Sequence, residues 1–417
     1  VTASSSLYKR AYSYVSLPAS ADPTAGRLLA SRGMRAFADG LISLSLPIYL
    51  ASVGFDLFEV GVLTTATLAG SAILTLSVGM LSHRFSQRRM LLAAAILMML
   101  TGLAFFLVKD FWPLVIVAFV GTLNPSSGDV SVFLPLEHAK LAHSVSDRDR
   151  TAMFARYSLI GSLFGALGAL AAGVPELLQA MLGLSVGQAL QPVFLLYAAV
   201  GLASFLVYRR VPNDQADVNT SPAQPLFKSR TLVLTLAALF SIDAFAGGLI
   251  VQSLLALWLY HRFGLSLAAT GAIFFWSGVL SAASYLVAVR ISDRIGLVNT
   301  MVFTHLPSSV CLLLIPFVPD LATTIVLLLI RSALSQMDVP TRTSYVMAIV
   351  TPGERAAAAS VTAVPRSLAA ASSPLLAGWL MSVSSFGWPL VTAAALKIVY
   401  DLLLLFIFRK HRPPEER

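Results

Sequence analysis

The chain has 417 residues, of which 57% are hydrophobic and only 12% charged, and its excess of Lys and Arg gives a formal charge of +9. A soluble domain carries about 25% charge, so this composition excludes a water-soluble globular protein and makes lipid the solvent. The single cysteine, Cys311, excludes an internal disulfide and a cysteine-based metal site, and its place inside an apolar run assigns it to packing.

In chain order, residues 1–30 are rich in Ser, Ala and Tyr and lack the apolar centre of a signal peptide, so they read as a cytoplasmic tail. Apolar runs long enough to cross a bilayer follow at 33–52, 57–81, 90–108, 112–136, 151–173 and 192–208. The polar stretch 211–229 holds Pro212, Asn213, Asp214, Asp217, Pro222 and Pro225, the composition of a linker. Six more runs come next, at 231–260, 267–289, 297–317, 321–350, 356–381 and 388–408, before a short tail at 409–417. The pattern predicts an all-α membrane protein of twelve transmembrane helices, one six-helix bundle over 31–210 and a second over 230–408.

With both termini placed in the cytoplasm, the loops on that side collect Lys9, Arg84, Arg88, Lys140, Arg209 and Arg290 among others, while the opposite loops hold only Lys109 and Arg262. That asymmetry is the positive-inside pattern of a multi-pass protein of a plasma or bacterial inner membrane. It accounts for the net charge without a nucleic-acid partner.

The two halves repeat. Ala-Phe-Ala-Asp-Gly-Leu-Ile at 36–42 is echoed by Ala-Phe-Ala-Gly-Gly-Leu-Ile at 244–250, and Gly54 and Gly61 correspond to Gly264 and Gly271. Further on, His83-Arg84 corresponds to Asp293-Arg294, and Ser126 with Asp129 to Ser335 with Asp338. Six spans, a linker and six spans in the same orientation form a parallel duplication, which resembles the two halves of the major facilitator superfamily. The resemblance implies two pseudo-symmetric bundles with a substrate site at their interface.

Local motifs support it. The loop from Gly79 to Arg89 is similar to the family's G-x-x-x-D-R-x-G-R-[RK] loop, with His83 in place of the acid and Ser86 in place of the second glycine, while Asp293, Arg294 and Gly296 in the second half keep all three. The resemblance implies a conformational latch built from Gly79, His83, Arg84, Arg88, Asp293 and Arg294. Gly161, Gly165, Gly168 and Gly173 resemble the glycine-rich fifth helix of the drug:proton antiporter branch, which implies efflux, although the branch's Gly-Pro pair is absent from this helix.

Charge in hydrocarbon is costly, so ionisable groups inside spans face water or a partner. Asp39, Asp129, Arg156, Asp243, Arg331, Asp338, Arg366, Lys397 and Asp401 all lie within or at the edge of apolar runs. The repeat aligns Arg35 with Asp243, and this reversal of sign suggests a bridge between the halves that gates one face. Lys397 and Asp401, four apart on one helix, are expected to pair with each other.

Desolvation raises a carboxylate's affinity for a proton, which makes Asp39 the preferred proton-coupling site and Asp243 the second. Substrate contacts are expected from Arg35, Phe37, Asp129, Arg156, Phe245, Gln252, Arg331, Asp338, Tyr345 and Arg366, a mixture of aromatic faces and polar tips that suits a small amphiphile. His305 reads as a hydrogen-bonded core residue, and Trp258 as part of the interfacial belt.

The sequence has no Walker loop, dinucleotide fingerprint or His-x-x-x-His pair, so no enzymatic role, cofactor or resident metal is expected. The partners expected are a small-molecule substrate, protons as coupling ion and the lipid bilayer, with the chain acting as a monomer. Three rival readings stay open. They are uptake of an organic anion through Arg156, Arg331 and Arg366, export of a divalent metal on Asp39 and Asp243, and a receptor on the same scaffold that transports nothing.

Overall fold

The structure, a computed structural model, describes residues 21–81, 85–126, 131–146, 149–213, 229–351 and 354–409. Helix α1 (Pro23–Ser52) starts well before the first apolar run because Asp22 caps it. The Asp22 carboxylate accepts from the N–H groups of Thr24 (2.7 Å) and Ala25 (3.2 Å), and Pro23 in the first turn forfeits no helical hydrogen bond. Helix α2 (Leu57–Leu81) opens on a reciprocal cap: Asp56 accepts from the Glu59 N–H at 2.7 Å and Glu59 from the Asp56 N–H at 2.9 Å.

The first half continues through α3 (Gln87–Leu107), α4 (Phe111–Val120), α5 (Phe133–His143), α6 (Arg150–Ala171), α7 (Val174–Leu182) and α8 (Val186–Tyr208). The second comprises α9 (Arg230–Leu249), α10 (Gln252–Phe263), α11 (Leu267–Ile295), α12 (Leu297–Leu314), α13 (Leu321–Ser335), α14 (Asp338–Ile349), α15 (Arg355–Val383) and α16 (Trp388–Phe408). Among the described residues there is no β-strand.

Three runs that the sequence presents as continuous are broken. The fourth span divides into α4 and α5 around Asn124 and Pro125, the seventh into α9 and α10 at Ile250 and Val251, and the tenth into α13 and α14 at Gln336 and Met337. Irregular backbone at membrane depth persists only where it is buried in protein or lines a wet cavity.

Among the described residues eight spans are long and apolar enough to cross a membrane by themselves: α2, α3, α6 with α7, α8, α9 with α10, α11, α12 and α16. The remaining four among the described residues are α1, which carries buried charge, α4 with α5 and α13 with α14, which are interrupted, and α15, which holds Pro365 and Pro374. Each sends a residue to the interior between the halves, Arg32, Leu134, Arg331 and Arg366 respectively, while Trp112, Val326 and Trp379 stay exposed on the outer faces of α4, α13 and α15. The result is a twelve-helix membrane protein of two pseudo-symmetric bundles.

Packing repeats the symmetry. In the first half α1 packs on α6, α3 on α8 and α2 on α4; in the second α9 packs on α15, α12 on α16 and α11 on α13. Two contacts join the halves in the same symmetric way, α2 on α15 and α6 on α11, with α10 against α1 between them. The outer surface is apolar, with Phe406 at 87% and Met181 at 80% of full exposure, as lipid contact requires.

Candidate functional site

A cavity of about 650 Å³ lies between the halves. Its first wall is made by Ala72, Thr75 and Leu76 of α2 and by Gly161, Gly165 and Ala166 of α6, with Arg32 of α1 at its edge. The facing wall comes from Phe274, Ser281 and Tyr285 of α11, Arg331 and Ser335 of α13, and Arg366 and Ser367 of α15. Every break contributes to the lining: Ser126 and Ser131 flank the first, Ile250 lies in the second and Gln336 in the third. Half-helix ends at such a site present free backbone groups to a solute.

Two of the breaks are tied together across the halves. The Ser253 N–H donates to the Pro125 carbonyl at 3.2 Å, and the Gln252 side chain donates to Ser43 Oγ at 3.0 Å.

On the side away from the chain termini the halves meet tightly. A Cβ placed on Gly61 would lie 2.8 Å from the Pro374 carbonyl oxygen and 2.9 Å from Gly378 Cα, so α2 and α15 touch backbone to backbone. The symmetric contact sets Gly271 of α11 against the Ala169 carbonyl and Gly173 against Ala268. Glu176 completes it by accepting from the Ala268 N–H at 2.9 Å. Arg32, Thr75, Tyr285 and Arg366 lie in the helix halves nearer the termini, so the cavity belongs to the terminal side of this seal.

The glycines of the fifth span serve this packing. A side chain on Gly40 would run into the Gly165 carbonyl and one on Gly168 into that of Phe37, so α1 and α6 approach to backbone contact.

The buried charges form two separate networks. In the first half, Arg35 pairs with Glu137 of α5, and both are fully buried. Tyr157 and Tyr208 donate to the two carboxylate oxygens of Glu137 at 2.5 and 2.6 Å, while Ser31 donates to the Tyr208 hydroxyl at 2.8 Å. The Arg35 guanidinium also stacks 4.0 Å over the Phe133 ring.

In the second half, Asp243 of α9 receives Lys397 Nζ at 2.6 Å on one oxygen and Arg342 Nη1 at 3.1 Å on the other. Arg342 also reaches Asp338 at 3.5 Å, and His305 Nδ1 lies 2.9 Å from Asp401. Arg35 and Asp243 therefore do not bridge the halves, because each has a closer opposite charge within its own bundle. Lys397 likewise turns to Asp243 across the helix interface, leaving Asp401 to His305.

Asp39, one turn beyond Arg35, is buried near Arg35, Arg32 and the Asn124 side chain, and among the described residues no ion pair holds it. The Asn124 oxygen accepts from the Ser126 N–H and hydroxyl at 3.2 and 2.7 Å.

Of the residues expected at the substrate site, Gln252, Arg331 and Arg366 line the cavity. Phe37 and Phe245 are half-buried and pack on the main apolar core. Tyr345 is fully buried against Phe408, Asp338 is buried in the second charge network, and Arg156 is half-buried on α6 outside the lining. Asp129, His83 and Arg84 lie outside the described residues.

Gly79 falls near the end of α2, Asp293 and Arg294 near the end of α11, and Arg294 is exposed. Arg88 donates to the Arg209 carbonyl at 2.7 Å; Arg27 and Lys140 reach the carbonyls of Arg210 and Pro212 at 2.6 and 2.8 Å. These three cations gather on the carbonyls at and just past the end of α8, where the helix dipole favours positive charge.

Glu137 lies just past the apolar run 112–136, beside His138 and Lys140, and nothing in its local sequence marks it as buried. Arg342 reads by sequence as a loop charge, although Asp338 four residues before it marks one helix face. Trp258, assigned to the interfacial belt, is instead buried with its edge toward Phe263.

The model of the Major Facilitator Superfamily matches residues 28–253 and 236–417, which together take in nearly the whole chain. The chain belongs to the major facilitator superfamily. Membership makes it a multi-pass membrane protein of a transporter superfamily, and the twelve-helix architecture is the major facilitator fold.

It is 24% identical over 416 residues to the uncharacterized membrane protein YJR124C of Saccharomyces cerevisiae, covering 91% of this chain and 93% of that one. Among solved structures it is similar to a mutant of the nucleoside transporter NupG, with a TM-score of 0.75, 13% identity and coverage of 92% of this chain and 100% of that one. A bacterial homolog of the human lysosomal transporter Spinster, inward-facing and occupied, gives a TM-score of 0.73 at 14% identity, covering 93% and 97%. The human organic anion transporter MFSD10 gives 0.63 at 18%, covering 92% and 100%. Likeness at these identities establishes the fold.

Proposed function

We propose that this major facilitator chain is a secondary active transporter that moves a small organic solute by alternating access, coupled to protons and directed to efflux. The observation that carries the reading is the polar cavity between two bundles, sealed on one side by glycine contacts that a small rotation can separate. The bodies that rock are 31–210 and 230–408, joined by the 211–229 linker, with both termini in the cytoplasm and the cavity facing it. One chain supplies both walls, so a monomer suffices.

Asp39 is the proton carrier in this reading. Asp243 is neutralised by Lys397 and Arg342, whereas Asp39 has no ion pair among the described residues and lies near the cavity-lining Arg32. A buried carboxyl of that kind exchanges a proton when its surroundings alternate between wet and dry. The glycine-rich α6, similar to that of the drug:proton antiporter branch, supports export.

Counterflow in proteoliposomes tests the reading: a solute selected by thermal stabilisation of the purified protein should enter vesicles preloaded with the same solute. Binding without exchange would make the protein a receptor on a carrier scaffold.

A further inference from the structure

We propose that the cavity takes amphipathic organic anions, an inference that rests on the carrier reading above and names its substrate class. The lining includes Arg32, Arg331 and Arg366, and among the described lining residues there is no carboxylate. The buried acids of the second half are already engaged, Asp243 by Lys397 and Arg342, Asp338 by Arg342, and Asp401 by His305. Arg331 and Arg366 are therefore the surplus charge of that bundle, and no ion pair to either exists among the described residues. Arg331 is half-buried and Arg366 exposed toward the cavity, so both are within reach of a solute, and an anionic ligand supplies the missing counter-charge through strong, bidentate hydrogen bonds.

The two walls differ in chemistry, which specifies the rest of the ligand. Around the two arginines, Ser332, Ser335, Gln336 and Ser367 offer further hydrogen bonds. The opposite wall presents an apolar strip of Ala72, Leu76, Gly165, Ala166 and Ala169 beside Arg32, Thr75 and Ser162. A solute with an anionic head and an aromatic or aliphatic body satisfies both walls at once. Its head binds α13 and α15 of one bundle and its body α2 and α6 of the other, so occupancy draws the halves together on the terminal side.

The test compares ligands matched in shape and differing in charge. Thermal unfolding of the purified protein is followed with naphthylacetate, naphthalenesulfonate, the neutral naphthylacetamide and the cationic naphthylethylamine. Both anions should raise the melting temperature while the amide and the amine do not. Arg331→Gln and Arg366→Gln should each raise the anion concentration needed by roughly tenfold or more, the scale of one lost charge-assisted hydrogen bond, and Arg331→Lys should recover part of the loss.

The inference is overturned if the amide or the amine stabilises as well as the acid, if neither anion stabilises, or if folded Gln variants bind anions as the wild type does. The wild-type comparison decides even where a variant does not fold. Counterflow separates this inference from the carrier reading. Anions that bind but do not exchange would overturn the carrier and keep the anion site; a neutral solute that exchanges while anions do not bind would do the reverse.

Discussion

Arg35 and Asp243 occupy equivalent positions in the two repeats, carry opposite charge, and are each neutralised by a partner from the fourth span of their own half, Glu137 for Arg35 and Arg342 for Asp243. The repeat thus conserves the place of a buried ion pair while inverting its sign. Each ion pair is closed within its own bundle, and what joins the bundles is close helix packing at glycines and a few hydrogen bonds, one of them to the Glu176 carboxylate. Two such bodies can separate without stranding a carboxylate in lipid.

Breaking the first pair should be severe. Glu137→Ala leaves Arg35 buried and unpaired, an arrangement that costs about 3–5 kcal/mol, and the loss should appear as a lower melting temperature of the purified protein. Exchanging the charges within the half, Arg35→Glu with Glu137→Arg, should recover part of it. Exchanging them between halves, Arg35→Asp with Asp243→Arg, should recover nothing.

The second network predicts an asymmetry. Asp243→Asn leaves both Lys397 and Arg342 without their shared acid, whereas Lys397→Met leaves Asp243 still held by Arg342 at 3.1 Å. The Asp243 variant should therefore lose more stability. In a double-mutant cycle the two sites should couple by more than about 0.5 kcal/mol, as residues in one network do.

The seal between α2 and α15 depends on Gly61 meeting Gly378. Gly61→Leu forces the helices apart, an overpacking expected to cost about 1–3 kcal/mol in the sealed state, and it should shift the population toward opening on the side away from the termini. Maleimide labelling of a cysteine at Ala169, in a Cys311→Ser background, should rise in that variant when the reagent is applied from that side. Unchanged labelling would separate this contact from the gate.

A local pH effect is expected at the start of α13. Asp320 accepts from the Thr323 N–H at 2.8 Å, and this bond holds the exposed carboxyl below the ordinary carboxylate range. Because its folded-state value is depressed, the cap contributes stability above the unfolded value and loses it as pH falls through the folded value. Asp320→Ala should lower the melting temperature slightly at neutral pH, and the difference should vanish in acid.

The sequence conveys the fold because lipid demands long apolar runs and the duplication repeats its signals, as the 36–42 and 244–250 segments do. The breaks were less legible. Asn124 and Pro125 mark one, while the other two are flagged only beside the break, by Gly247-Gly248 before Ile250 and by Pro340 in the first turn of α14.

Charge pairing was the hardest to read. Lys397 and Asp401 satisfy helical spacing, yet a tertiary carboxylate at 2.6 Å takes the lysine. Glu137 was hidden because a buried acid among basic residues looks like a loop until its tyrosine partners on α6 and α8 are known. Arg331 and Arg366, which line the cavity, stand out in the sequence as charges inside apolar runs.

The most direct test is solute accumulation in proteoliposomes under an imposed pH gradient, measured for the wild type and for Asp39→Asn. The account predicts that solute moves against the proton flow in the wild type, and that Asp39→Asn still exchanges solute in counterflow but accumulates none. Accumulation that ignores the gradient, or that survives in Asp39→Asn, would contradict it.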